Sequence, residues 1–119
     1  MEKRVNFIVK ILEEKKAENI QVFDMGGKDY FVERVIVTTT MGERHGVSLL
    51  DTLKTELKKR GESFLNIEAS GEWVVIDLGD VLIHLLTPEF RLKYNLEEFL
   101  SRRNEVINNI DTMEANNGR

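Results

Sequence analysis

The chain contains no cysteine. That excludes a disulfide framework, a thiolate metal site and a cysteine nucleophile. One proline and eight glycines are spread over 119 residues, so there is no low-complexity linker and little to interrupt regular elements. Long apolar runs are also lacking. The longest, Trp73–Leu78 and Val81–Leu86, fall far short of the ~20 residues that a membrane-spanning helix needs. The N-terminus, Met1-Glu2-Lys3-Arg4, leads into a segment broken by Glu13, Glu14, Lys15 and Lys16, which is not a signal-peptide pattern. A cytoplasmic protein is expected. The only histidines, His45 and His84, are far apart in sequence, so neither a zinc site nor a cofactor is expected.

What remains is a globular composition, 41% hydrophobic and 32% charged, at the length of one domain. We expect that domain to cover residues 1–110, with residues 111–119 a frayed polar tail. The net charge of −4 is a poor profile for wrapping nucleic acid. Its distribution is uneven. Residues 1–60 hold 12 basic and 10 acidic side chains, and residues 91–119 hold five of each. Residues 61–90 hold six carboxylates and no Lys or Arg. A solvated acidic surface and a site for a basic partner both fit that stretch.

Val5, Ile8, Val9 and Leu12 recur at helical spacing, which predicts an amphipathic helix over residues 2–18. A strand over 20–25, a turn at Gly26-Gly27-Lys28-Asp29 and a strand over 30–39 follow. A second amphipathic helix is predicted over 45–60, facing inward through Val47, Leu50, Leu53 and Leu57 and stopped by Gly61. Phe64–Glu68 reads as a short strand. Thr87 and Pro88 open a helix as N-cap and first residue, and Asn95 opens another that runs to about Ile110. The fold class is therefore α/β, a mixed sheet of about five strands flanked by helices.

Trp73–Leu78 and Val81–Leu86 form a hairpin closed by Gly79-Asp80. A two-residue loop pairs Ile76 with Ile83 and Val75 with His84, and the two faces then differ. One carries Val74, Ile76, Leu78, Val81, Ile83 and Leu85 and must pack on helices. The other carries Trp73, Val75, Asp77, Leu82, His84 and Leu86. An aromatic anchor among aliphatics and a few charges is the makeup of an interface centre. A second core layer with a buried Asp77–His84 pair fits the same pattern.

Asp77 and Asp80 lie three apart and could hold a metal, but one is in a strand and the other at a turn tip. Gly26-Gly27 lacks the spacing of a phosphate loop. His45 reads as a solvated loop residue or as a partner contact at a helix start. Lys54, Lys58, Lys59 and Arg60 read as a solvated helix end or as an RNA phosphate contact. The serines have no nucleophile-elbow context.

The block Gly71-Glu72-Trp73-Val74-Val75-Ile76-Asp77-Leu78-Gly79-Asp80-Val81-Leu82-Ile83-His84, followed by Arg91 and by Tyr94-Asn95-Leu96-Glu97-Glu98-Phe99-Leu100, resembles the ribosomal silencing factors, the Iojap-like family. Lys16-Ala17, Asp29-Tyr30-Phe31-Val32 and His45 fit the same order, so the resemblance covers roughly residues 5–100. Thr38 to Glu43, Glu33-Arg34 and Phe99-Leu100 depart from the family's usual pattern. The resemblance implies a nucleotidyltransferase-like fold without that catalysis. It also implies binding to the large ribosomal subunit at ribosomal protein L-fourteen, a steric block to small-subunit joining, and a homodimer in isolation. Trp73, Val75, Leu82 and Leu86 would then make apolar contact, with Asp77 and Asp80 meeting basic groups of the partner. His84 would hydrogen-bond within or across the face. Tyr94, Leu96 and Glu97 would set the following helix against the sheet edge and reach toward the partner. The alternatives are a metal-dependent nucleotidyltransferase-like enzyme and a large-subunit assembly factor touching rRNA through residues 54–60.

Overall fold

The computed structural model describes residues 1–27 and 30–101. Lys28 and Asp29 of the expected turn, the expected helix beyond residue 101 and the tail 111–119 lie outside the described residues. The elements are α1 (Glu2–Glu14), β1 (Glu18–Asp24), β2 (Arg34–Thr39), α2 (Glu43–Lys59), β3 (Asn66–Ala69), β4 (Trp73–Asp77), β5 (Val81–Leu86) and α3 (Pro88–Tyr94). Residues 96–101 are again helical.

The five strands form one mixed sheet in the order β1-β2-β5-β4-β3. Only β2 and β5, at its centre, are parallel; the other neighbours are antiparallel. The hairpin β4–β5 has the register that its sequence predicts, with Ile76 opposite Ile83 and Val75 opposite His84. The Leu78 amide bonds to the Val81 carbonyl at 2.9 Å across the turn, and Gly79 takes the positive φ (99°) that closes it.

The aliphatic face of that hairpin packs under both long helices. Val5, Ile8, Ile11 and Leu12 of α1 and Leu49, Leu53 and Leu57 of α2 meet Val74, Ile76, Leu78, Val81, Ile83 and Leu85 in one buried cluster. On α2 the buried stripe is Gly46, Leu49, Leu53 and Leu57. It is not the Val47–Leu50 stripe expected from spacing, for Val47 is exposed and Leu50 half-buried. Both stripes satisfy helical periodicity. Gly46 faces Thr40 just past the end of β2, where a side-chain carbon would meet the Thr40 methyl at 3.8 Å, an ordinary contact.

Two element ends follow local rules closely. At the end of α2 the Gly61 amide bonds to the Lys58 carbonyl and the Glu62 amide to the Leu57 carbonyl, with Gly61 at φ 85°. This paired reversal stops the helix and turns Glu62 toward α1. At the start of α3 the Thr87 hydroxyl accepts from the Phe90 amide, with Pro88 at the first helical position. Asn95 opens the helical residues 96–101 as expected, its carbonyl accepting the Glu98 and Phe99 amides, but it has a second role. It ends α3 in the left-handed conformation (φ 44°), and its side chain bonds to the Glu98 carboxylate instead of to a backbone amide.

β2 begins at Arg34, four residues later than predicted. The amides of Glu33 and Arg34 both reach the Asp80 carbonyl, and Val32 turns away to join the cluster on the opposite sheet face. β3 likewise starts at Asn66 rather than Phe64, because Phe64 packs on the helix-side core.

Candidate functional site

The second sheet face follows from the same register. Its middle row runs Gln21, Val37, His84, Val75 and Glu68 across all five strands. Flanking rows bring Val35, Leu82, Asp77 and Asn66 together at one end and Thr39, Leu86 and Trp73 at the other. The β2 side of the face is roofed. Leu82 and Leu86 are buried with Met25, Val32, Val35, Val37 and Leu100, the last from the helical residues 96–101. Trp73, Val75, Phe90 and Leu96 are only half-buried at the border of that cluster.

The predicted apolar contacts therefore divide. Trp73 and Val75 stay accessible toward β3, while Leu82 and Leu86 lie beneath the roof. The rings form a ladder at the Trp73 end. Trp73 and Phe90 lie 6.2 Å apart between centroids, and Phe90 and Tyr94 lie 4.4 Å apart. Phe90 belongs to this surface although the sequence analysis did not single it out. Its four-residue spacing from Tyr94 places both rings on one side of α3 and is a readable signal.

His84 is partly buried at the centre of the face. Burial pushes its imidazole down to about 4, so it is neutral near pH 7. No hydrogen bond joins it to Asp77. Asp77 instead accepts the Gly79 amide at 2.8 Å, an Asx turn that supports the hairpin loop.

Asp80 is engaged elsewhere. Its carboxylate receives both terminal nitrogens of Arg4, at 2.8 and 3.0 Å, and Glu62 accepts the Nε and the other Nη2 proton of the same guanidinium. Arg4 holds the Asp80 carboxyl below its usual range through those hydrogen bonds. Two of the six carboxylates of the acidic stretch thus find a counter-charge on α1, one that reading residues 61–90 by themselves cannot supply. Asp77 and Asp80 do not converge on a common point, and among the described residues no three His, Asp or Glu side chains group to hold a metal.

Glu97 is bound to Arg91, which is itself buried against β1 and β2. Together with Leu96 at the border of the cluster on the second sheet face, this places residues 96–101 beside β1 and β2. Tyr94 is exposed. His45 lies inside the first turn of α2. Its Nδ1 accepts the Met41 amide at 2.9 Å, and its Nε2 bonds to the Lys15 carbonyl at 2.7 Å. It ties the end of α1 to the start of α2 and is neither a solvated loop residue nor a free helix-start contact. Arg60 of the basic cluster sits 3.9 Å over the Phe7 ring.

The family model described as ribosomal silencing factor during starvation matches residues 1–119. The chain belongs to that family. A ribosomal silencing factor of Haemophilus influenzae is 31% identical over 96 residues, covering 79% of this chain and 94% of its own length. The mouse protein called mitochondrial assembly of ribosomal large subunit protein 1 is 26% identical over 104 residues, 83% of this chain and 46% of its own. A crystal structure from Chromobacterium violaceum superposes with a TM-score of 0.79 at 28% identity, covering 84% of this chain and 85% of that one. The mixed five-stranded sheet with its flanking helices is thus the family's fold.

Proposed function

We propose that this chain binds the large ribosomal subunit through ribosomal protein L-fourteen and sterically blocks joining of the small subunit, lowering translation in the cytoplasm. The action is occlusion, not catalysis. The observation that supports it most is the match of the whole chain to the ribosomal silencing family. The sheet face supplies a surface suited to the task. Half-buried Trp73 and Val75 and the partly buried, neutral His84 form its centre, with exposed Tyr94 at the rim. Asp77 adds a charge beside it, whereas Asp80 acts through its bond to Arg4, and Leu82 and Leu86 support the face from below. No described helix is long and apolar enough to cross a membrane.

Co-sedimentation with purified large subunits tests this. Trp73→Ala at a central anchor costs about 2 kcal/mol or more of binding. Undiminished binding by the folded variant removes the face from the interface. Capture of L-fourteen by the tagged protein, without small-subunit proteins, tests the named partner.

A second reading, large-subunit assembly, is favoured by the name of the mouse relative. It calls for rRNA contact through Lys54, Lys58 and Lys59, and a steep salt dependence of ribosome binding would support it.

A further inference from the structure

The six carboxylates of residues 61–90 separate into two groups. Glu62 and Asp80 share Arg4, Asp77 accepts a backbone amide, and Glu68 faces the Asn66 amide group at 3.4 Å. Glu72 and Glu89 have no ion-pair partner among the described residues. Nor does Glu43, which the fold brings beside them from the first turn of α2. The Glu43 carboxylate lies over Gly71 in the β3–β4 turn, within 2.7–2.8 Å of where a side chain there would begin.

These three carboxylates are not on a featureless surface. Two adjoining grooves share Glu43 and Glu72 as a common wall. The larger, about 360 Å³, has Trp73, Phe90 and Tyr94 as its aromatic side. Lys93, the one cation lining it among the described residues, holds its ammonium 5.4 Å from the centre of the Tyr94 ring. A positive charge is therefore already drawn to the ring from within the chain.

We propose that this groove receives an arginine side chain of a basic protein, stacked on the Trp73–Phe90–Tyr94 ladder and paired with Glu43 and Glu72, with Lys93 moving aside. The inference rests on the reading that this face meets a basic protein partner, and it adds where and by what chemistry the partner is held. Two unpaired carboxylates lining the groove and a third on the adjoining one outweigh Lys93 and repel phosphate, so RNA is the wrong occupant. A planar guanidinium suits the site better than an ammonium. It can stack on a ring and present paired donors to a carboxylate at once, and it sheds water more easily. Glu89, on the adjoining groove, adds steering without contact.

The test is titration of folded variants with purified large ribosomal subunits at low and high salt. Folding is verified by thermal unfolding. The double variant Glu43→Gln/Glu72→Gln is expected to bind roughly tenfold more weakly at low salt, with a flatter salt dependence. Lys93→Met removes the internal competitor and is expected to bind a few-fold more tightly. Trp73→Ala separates this inference from the reading beneath it. If Trp73→Ala loses binding while the double glutamine variant binds like the wild type at both salts, the arginine site is wrong and the face stands. If Trp73→Ala also leaves binding unchanged, the face itself is wrong, and the arginine site falls with it. Tighter binding by the double glutamine variant would overturn the proposal in favour of a phosphate-bearing neighbour.

Discussion

The guanidinium of Arg91 and the carboxylate of Glu97 form a two-pronged ion pair, Nε to Oε1 at 2.9 Å and Nη2 to Oε2 at 2.7 Å. The remaining terminal nitrogen of Arg91 donates to the Asn19 carbonyl and the Thr39 hydroxyl. One buried side chain on α3 thus joins β1, β2 and the helical residues 96–101.

Removing the carboxylate leaves that buried cation short of its counter-charge. Glu97→Ala is expected to lower stability by about 2–3 kcal/mol, below the full cost for a wholly buried pair because Glu97 keeps some solvent contact. Urea unfolding at pH 7 measures it. The hydrogen bonds from Arg91 hold the Glu97 carboxyl below its ordinary value. A depressed acid stabilises the fold above its unfolded pKa and loses that contribution as pH falls through the folded value. The wild-type and Glu97→Gln stabilities should therefore converge in strong acid. A constant gap at every pH would refute the pairing.

His84 is depressed for the opposite reason, burial disfavouring its charged form, and it acts over a higher pH window. Its folded value of about 4 lies below the ordinary value of 6.5, so the unfolded chain binds the extra proton between them. Stability is expected to rise from pH 4 to 6.5 and to level off above. His84→Leu should flatten that rise, and NMR titration should show a His84 imidazole that stays neutral down to about pH 5. Titration near 6.5 in the folded protein would show that the ring is not desolvated.

Arg4 links the beginning of α1 to Glu62 and Asp80, yet the site is open to solvent on one side. Screening limits the Arg4–Asp80 coupling to about 1 kcal/mol. A double-mutant cycle with Arg4→Met and Asp80→Asn should return that value in low salt and less at 1 M salt. Because the Asp80 carbonyl also receives the Glu33 and Arg34 amides, the cycle probes the turn that sets the start of β2.

Ile76 is fully buried opposite Ile83 under α1 and α2. Ile76→Ala should cost about 3 kcal/mol of stability from lost burial and the cavity left behind. Val75→Ala, one residue away on the half-buried face, should cost under half of that. Similar losses at both positions would contradict the inequality of the two faces.

Sequence reading succeeded where a local rule is strong. The Gly79-Asp80 turn sets the hairpin register, and alternation then separates Ile76 from Val75 without further information. Thr87-Pro88 and Gly61 mark helix ends because capping is settled within four or five residues. Reading failed where two local rules were equally satisfied. Spacing on α2 fits both Val47–Leu50 and Gly46–Leu49, and only the packing of the helix on α1 and the sheet selects the second.

What the sequence by itself determined is the α/β class, the hairpin register and the family motif from Gly71 to Glu97. Each is carried by periodicity, turn chemistry or residue order along a short stretch. Tertiary structure alone decided which charges are spoken for. Arg4 meets Glu62 and Asp80 across 58 and 76 positions, and Arg91 reaches Thr39 across 52. Charge acts over a few ångströms of space and takes no account of distance along the chain. That is why the acidic stretch of residues 61–90 resolves, once folded, into a corner bridged by Arg4 and an unpaired one beside Trp73.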